Sequence, residues 1–200
     1  MADDTRRALG KALSTINADY AEMVVDKMSD VETYPAPFLK RYKIYKVLNY
    51  GTHPVLFYVG FAPGAPAYLL TGSLENYVQM AKDDGVAIHS PEAAAEYVAT
   101  ALEVTRSMSE LVYVVKSVDD VEFAGDLDAD EERQKQEFLD KYRARIQAPQ
   151  GEPAGTGYHV TAFVVANQNL SRYSMMVSTA GGLTPEVTTL EENLPLMMGA

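Results

Sequence analysis

The sequence predicts an α+β fold built on an antiparallel sheet of about six to eight strands with helices packed on it. Two observations predict it. The chain holds two long, alternating, Tyr-rich strand segments, Arg41 to Ala62 and Gly157 to Thr179, each preceded by a helical stretch. Several of these strands, Val55 to Phe61 above all, are apolar on both faces, as strands are when they are covered on both sides or wrapped around a cavity.

The first element is a helix from Asp4 to Ser29. Asp4 can cap it, and Leu9, Leu13, Ile16, Tyr20, Met23, Val24 and Met28 recur at three- and four-residue spacing. That single apolar stripe is expected to pack on a sheet, with Leu13, Ile16, Tyr20 and Val24 buried together. Tyr34-Pro35-Ala36-Pro37 ends the helix, because proline cannot continue one and restricts the residue before it.

A strand follows in which Tyr42, Ile44, Leu48 and Tyr50 are assigned to one face and Tyr45 and Val47 to the other. The turn formers Asn49 to Pro54 lead into Val55 to Phe61, and Pro63-Gly64-Ala65-Pro66 reverses the chain into a short strand, Ala67 to Thr71. Ser73 caps a helix, Leu74 to Asp84, that Gly85 ends, and Ser90-Pro91-Glu92 starts the next, with Ala94, Tyr97, Val98, Ala101, Leu102 and Thr105 on its apolar face.

Leu111 to Lys116 is a β-branched run and reads as a strand. Asp128-Ala129-Asp130-Glu131 is a capping box for another helix, whose later part carries Phe138, Leu139, Tyr142 and Ile146. Gln147 to Thr156 is read as a Pro/Gly-rich loop. Tyr158 to Asn167 and Arg172 to Thr179 pair across Gln168 to Ser171, and Gly181-Gly182 turns into Leu183 to Leu190. The apolar tail Leu194 to Met198 is expected to dock in a groove of this chain or of a partner.

Residues 1–200 are expected to form a single α+β domain. The similar stretches Leu70 to Asn76 and Thr188 to Asn193 also admit a pseudo-repeat of 1–72 and 128–193, two helix-plus-three-strand units with a helical insertion at 73–127.

Composition narrows the chemistry. A net charge of -11 opposes nucleic-acid and anionic-membrane partners and favours a basic one. The chain has no Cys, so disulfides, thiolate metal sites and Cys nucleophiles are excluded. The first residues lack the apolar core of a signal peptide, and no apolar run approaches the roughly 18 residues of a membrane span. The expectation is an acidic, soluble, cytoplasmic protein with no cofactor.

Asp126, Asp128, Asp130 and Glu137 have the carboxylate spacing of an EF-hand loop, but Glu131 stands where such a loop needs Gly and Arg133 where it needs an apolar residue. The run is better read as the acidic first turn of a helix, and no metal is expected. His53, His89 and His159 have no second ligand at metal spacing. His159 shares a strand face with Thr161, Phe163 and Val165, and is the candidate general base if a carboxylate orients it. No phosphate loop or nucleophile elbow is present.

Lys40, Arg41, Lys43 and Lys46 invert the local charge. Arg41, Lys43 and Tyr45 share a face, which reads either as a strip for an anionic ligand or acidic segment or as edge-strand lysines that block unwanted pairing. Tyr42, Tyr45, Tyr158 and Tyr173 are the strand tyrosines proposed for a binding surface, joined by Leu196 and Met197 of the tail.

Three functions remain open. The first is a non-catalytic binding protein, dimeric or partnered, that uses a Tyr-rich sheet surface and the apolar tail. The second is a small-ligand binder or acid–base pocket enzyme; the element order is similar to that of cystatin-like and cone-shaped α+β pocket folds, and there His159 would work with a strand tyrosine. The third is a structural component of a larger assembly that self-associates.

Overall fold

A computed structural model describes residues 3–51, 53–107 and 112–197. Leu111 and Met198, which the sequence assigns to a strand and to the tail, lie outside them. The α+β class and antiparallel pairing are as predicted, with nine strands among the described residues distributed over two sheets. The chain divides into two compact units, Met1–Ala87 with Val104–Met108, and Ile88–Glu103 with Ser109–Ala200. Among the described residues no helix is long and apolar enough to cross a membrane.

In the first unit the expected long helix is two helices, α1 (Asp3–Leu13) and α2 (Ala18–Val25). The Ser14 and Thr15 hydroxyls bond back to the carbonyls of Lys11 and Ala12, and Asn17 then caps α2 by accepting from the Tyr20 amide at 3.1 Å. Short polar side chains that compete for the backbone favour such a break over continuation. Leu13 and Val24 are buried as expected and Tyr20 packs beside them, but Ile16 sits in the break and is 49% exposed. Met28 is exposed too.

The chain then enters β1 (Ser29–Tyr34), a segment the sequence assigns to no strand; Val31 is its one apolar inward residue, too few to register as alternation. Strands β2 (Lys43–Asn49), β3 (Val55–Phe61) and β4 (Tyr68–Leu69) complete an antiparallel sheet in the order β1-β2-β3-β4. One face, with Val31, Tyr45, Val47, Phe57, Val59 and Phe61, packs on α1 and α2.

Helix α3 (Leu74–Asp84) approaches the opposite face, its start capped by Ser73 and its end by Gly85. It comes so close at Gly60 that a β-carbon there would lie 2.1 Å from the Met80 sulfur, so any larger residue would have to displace the Met80 side chain. The two-sided cover expected for Val55 to Phe61 is therefore made by α1 and α2 on one side and α3 on the other.

In the second unit α4 (Pro91–Val104, all but its last residue here) starts as predicted, with the Ala93 amide on the Ser90 hydroxyl. Strand β5 (Val112–Val115) is followed by a short 3₁₀ turn and α5 (Ala129–Tyr142), where Asp128 and Glu131 form the capping box read from the sequence. Strands β6 (Gln150–Ala154), β7 (Gly157–Ala166), β8 (Asn169–Ser178) and β9 (Leu183–Glu191) finish the sheet.

The order is β5-β7-β8-β9, and β6 pairs with β7 beside Gly157 to Thr161, next to the stretch that pairs with β5. Two corrections arise here. Residues 150–154, read as loop, are the edge strand β6, which tolerates Pro153 because no described strand pairs its other side. The β7–β8 turn is Asn167-Gln168, not Gln168 to Ser171, with Asn167 in the left-handed region at φ 56°.

Each face of this sheet has its own cover. Alpha4 lies on the Val160, Ala162 and Val164 side: its Tyr97 hydroxyl donates to the Gly181 carbonyl at 2.8 Å, and Pro91 O would stand 2.2 Å from a β-carbon at Gly151. Alpha5 covers only the end of the other face, where Phe138 and Tyr142 pack with Val115, Phe163, Val165 and Leu170. Leu194 and Leu196 belong to the same cluster.

Candidate functional site: the open face and free edge of the second sheet

Beyond α5 the second sheet's face is open. The β6–β7 register sets Glu152 opposite His159, and the β7–β8 register sets Met176 opposite His159 and Ser174 opposite Thr161. Opposed residues share a face, so Glu152, His159 and Ser174 converge from three strands. The His159 Nδ1 lies 3.1 Å from a Glu152 carboxylate oxygen, and Nε2 lies 2.6 Å from the Ser174 Oγ.

A carboxylate only accepts, so Nδ1 carries the proton it donates to Glu152. With the ring neutral, Nε2 then accepts from the Ser174 hydroxyl. This is a nucleophile, a base and an orienting acid in hydrogen-bonded sequence. His159 keeps 27% of its side chain exposed and Glu152 keeps 72%, so the line lies on an open surface, not in a cavity.

The same strands set the backbone chemistry. Ser178 N–H donates to Gly182 O at 2.9 Å, and an antiparallel ladder alternates from there. Ser174 opposite Glu186 is then a bonded pair, its N–H and C=O directed into the ladder with β9. Leu183, Pro185, Val187 and Thr189 turn theirs the other way, to an edge that no described strand pairs. Pro185 fits there because an outward position needs no ladder N–H.

Both faces of β9 are exposed from Thr184 to Thr189, with Val187 51% exposed and Met176 beside Thr184 46% exposed. At its far end β9 is pinned to α5: the Tyr142 hydroxyl is 2.7 Å from the Glu191 carboxylate, which also pairs with Lys141. Burial opposes ionisation of Glu191, but the bonds from Lys141 and Tyr142 prevail and hold its pKa below the usual carboxylate value.

The other residues selected from the sequence are scattered. Tyr42 and Tyr45 are buried in the first unit, not presented on a surface, and the Tyr42 hydroxyl donates to the Pro66 carbonyl at 3.0 Å. Arg41 and Lys40 hold the end of α3: their side chains donate to the carbonyls of Asp83 and Gly85. The buried Asp84 carboxylate accepts from the amides of Lys40, Arg41 and Tyr42, with Arg41 Nε at 3.8 Å. Cations at a helix C-terminus answer its dipole.

Lys43 is exposed, but β2 is an interior strand, so its lysines guard no edge; Lys46 instead faces Glu32 across the β1–β2 pair. Tyr158 and Tyr173 are half-buried on the α4 face, opposite to His159, and Tyr173 stands beside the exposed Val187. The tail is tied into its own unit. Ala124 N–H donates to Pro195 O at 3.0 Å, Met197 N–H to Glu122 O at 2.9 Å, and Phe123 forms an antiparallel bridge with Leu196. Leu196 is core, while Met197 is exposed.

Sequence reasoning found His159 and missed Glu152, Ser174 and the β9 edge. Only the edge left a signal, in the Thr-rich run Thr184 to Thr189 with few apolar residues to bury. Comparison of the chain with protein-family models, with curated proteins and with solved structures finds no match.

Proposed function

We propose that this chain is a non-catalytic interaction protein that takes an extended segment of a protein partner onto the free edge of β9, adding a strand to the second sheet. The observation that carries the reading is the exposure of β9 on both faces from Thr184 to Thr189, beside an edge that no described strand pairs. Such an edge offers outward amides at Leu183, Val187 and Thr189 and supplies main-chain bonds to any extended chain. Tyr173, Val187 and Met176 offer apolar contact on its two sides.

Charge favours a basic segment over a second copy. Two chains of net charge -11 repel one another, whereas a Lys/Arg-bearing strand is drawn in and meets Glu186 on the strand itself.

The test is selection from a library of displayed extended peptides on the wild-type chain, followed by titration of the winners on Val187→Pro. The reading expects basic, β-prone peptides whose affinity falls at least about tenfold in the variant while its melting temperature stays within a few degrees. Equal affinity for the variant would refute strand addition at β9, and concentration-dependent dimers that Val187→Pro abolishes would reassign the edge to self-association.

A further inference from the structure

We infer that Ser174 is an activated nucleophile, a modification site that takes an acyl group from an activated ester or thioester with His159 as its base. A serine on a strand has a hydroxyl too weakly acidic to attack by itself, and needs a base within hydrogen-bond reach. Here Nε2 is 2.6 Å away and the opposite ring nitrogen is held by Glu152, so the imidazole presents its lone pair to the Ser174 proton. Ser174 is half-buried and comes from β8, His159 from β7 and Glu152 from β6, so rigid ladder pairing, not a loop, sets the line.

In the reaction the Ser174 Oγ–acyl carbon bond forms and the bond from that carbon to the leaving oxygen or sulfur breaks. The serine proton passes to His159 Nε2 and then to the leaving group, which departs with the bonding electron pair. The fate of the acyl group is set by the surroundings of Ser174. Its amide is committed to the ladder with β9, so it is not free to stabilise a tetrahedral oxyanion, the contribution that usually dominates acyl-transfer catalysis. Glu152 and His159 are open to solvent there, which does little to select one acyl chain over another. Acylation is therefore expected to be stoichiometric, with slow release. That outcome is compatible with a binding protein and independent of whether β9 takes a peptide.

The test uses the full chain with two probes, p-nitrophenyl acetate and an alkyl fluorophosphonate. In the second, the Oγ–phosphorus bond forms, fluoride leaves and the proton passes through His159 to solvent. Expected are one acetyl or phosphonyl group per chain by intact mass, mapped by peptide sequencing to Ser174, and none in Ser174→Ala. His159→Gln should slow labelling at least about 100-fold, within the range for a lost general base, and Glu152→Gln should slow it less. All three substitutions fall on an open face, and unchanged thermal midpoints confirm that the comparison is of folded chains. Labelling at Tyr or Lys with Ser174 untouched would overturn the inference, as would labelling of Ser174 at the same rate in a folded His159→Gln.

Discussion

The first sheet closes its edges with β1, which sets Asp30 and Glu32 outward, stops at Tyr34-Pro35 and has its entry tied by Arg6 to the carbonyl of Ser29, and with β4, which is only two residues long. The second sheet ends in β9, nine residues long, exposed on both faces, and carrying one proline and, between Thr184 and Thr189, one charge. Charge, proline and brevity are the usual means of preventing strand addition, and the first sheet uses all three. In the second sheet β6 carries Glu152 and Pro153, but β9 between Thr184 and Thr189 has only Pro185 and Glu186, and Pro185 removes one outward donor while leaving those of Leu183, Val187 and Thr189. The contrast between two sheets of one chain is the reason to read β9 as a surface for a partner.

The interiors differ as well, and the differences order the expected effects. The largest falls on Asp84. Asp84→Ala strips the acceptor from the amides of Lys40, Arg41 and Tyr42 and should cost the first unit ~3–5 kcal/mol in chemical denaturation, with no effect on peptide binding at β9. Next is the tail. Leu196→Ala should cost ~2–5 kcal/mol by opening a cavity in the cluster under α5, and should leave the molecular mass in light scattering unchanged, because the groove belongs to the same chain. A drop in mass would mean that the tail also serves an interface.

A smaller effect is expected at the junction of α5 and β9. The Glu191 pKa is lower folded than unfolded, so its contribution is present above the ordinary carboxylate range, near pH ~4.3, and is lost as pH falls through the depressed value. Lys141→Ala should narrow that acid window, read as a smaller fall in melting temperature between neutral and acid pH. The smallest effect is at Ile16. Exposed in the break between α1 and α2, it should lose no more than ~0.5 kcal/mol on truncation to Ala, whereas the continuous helix implied by periodicity would make it a core position.

That contrast shows where the sequence was legible. Elements with a cap and a clear period, α3 between Ser73 and Gly85 or α5 from Asp128, were readable because the cues are local. The α1–α2 break was not, because the apolar spacing ran through it while Ser14, Thr15 and Asn17 acted on the backbone. Strand β1, with Val31 as its apolar anchor, and β6, with Pro153, were hidden for want of alternation. Burial of Tyr42 and Tyr45 depends on which helices cover each face, which no strand pattern states.

The hydrogen-bonded line Glu152–His159–Ser174 was invisible for a sharper reason. A turn at Gln168 to Ser171 would set His159 opposite Ala180, whereas the Asn167-Gln168 turn sets it opposite Met176 and so brings Ser174 within reach. His159 can be chosen from one strand, but its partners come only from register.

The central claim, that β9 keeps an open edge for a partner strand, is tested most directly by residue-resolved hydrogen exchange of β9 in the free chain and with a selected peptide bound. In the free chain the amides of Leu183, Val187 and Thr189 should exchange fast while those of Thr184, Glu186 and Thr188 are protected by β8. With peptide bound, the fast set should gain protection and the slow set should change little. Uniform protection along β9 in the free chain, or peptide-induced protection confined to residues outside β9, would contradict the account.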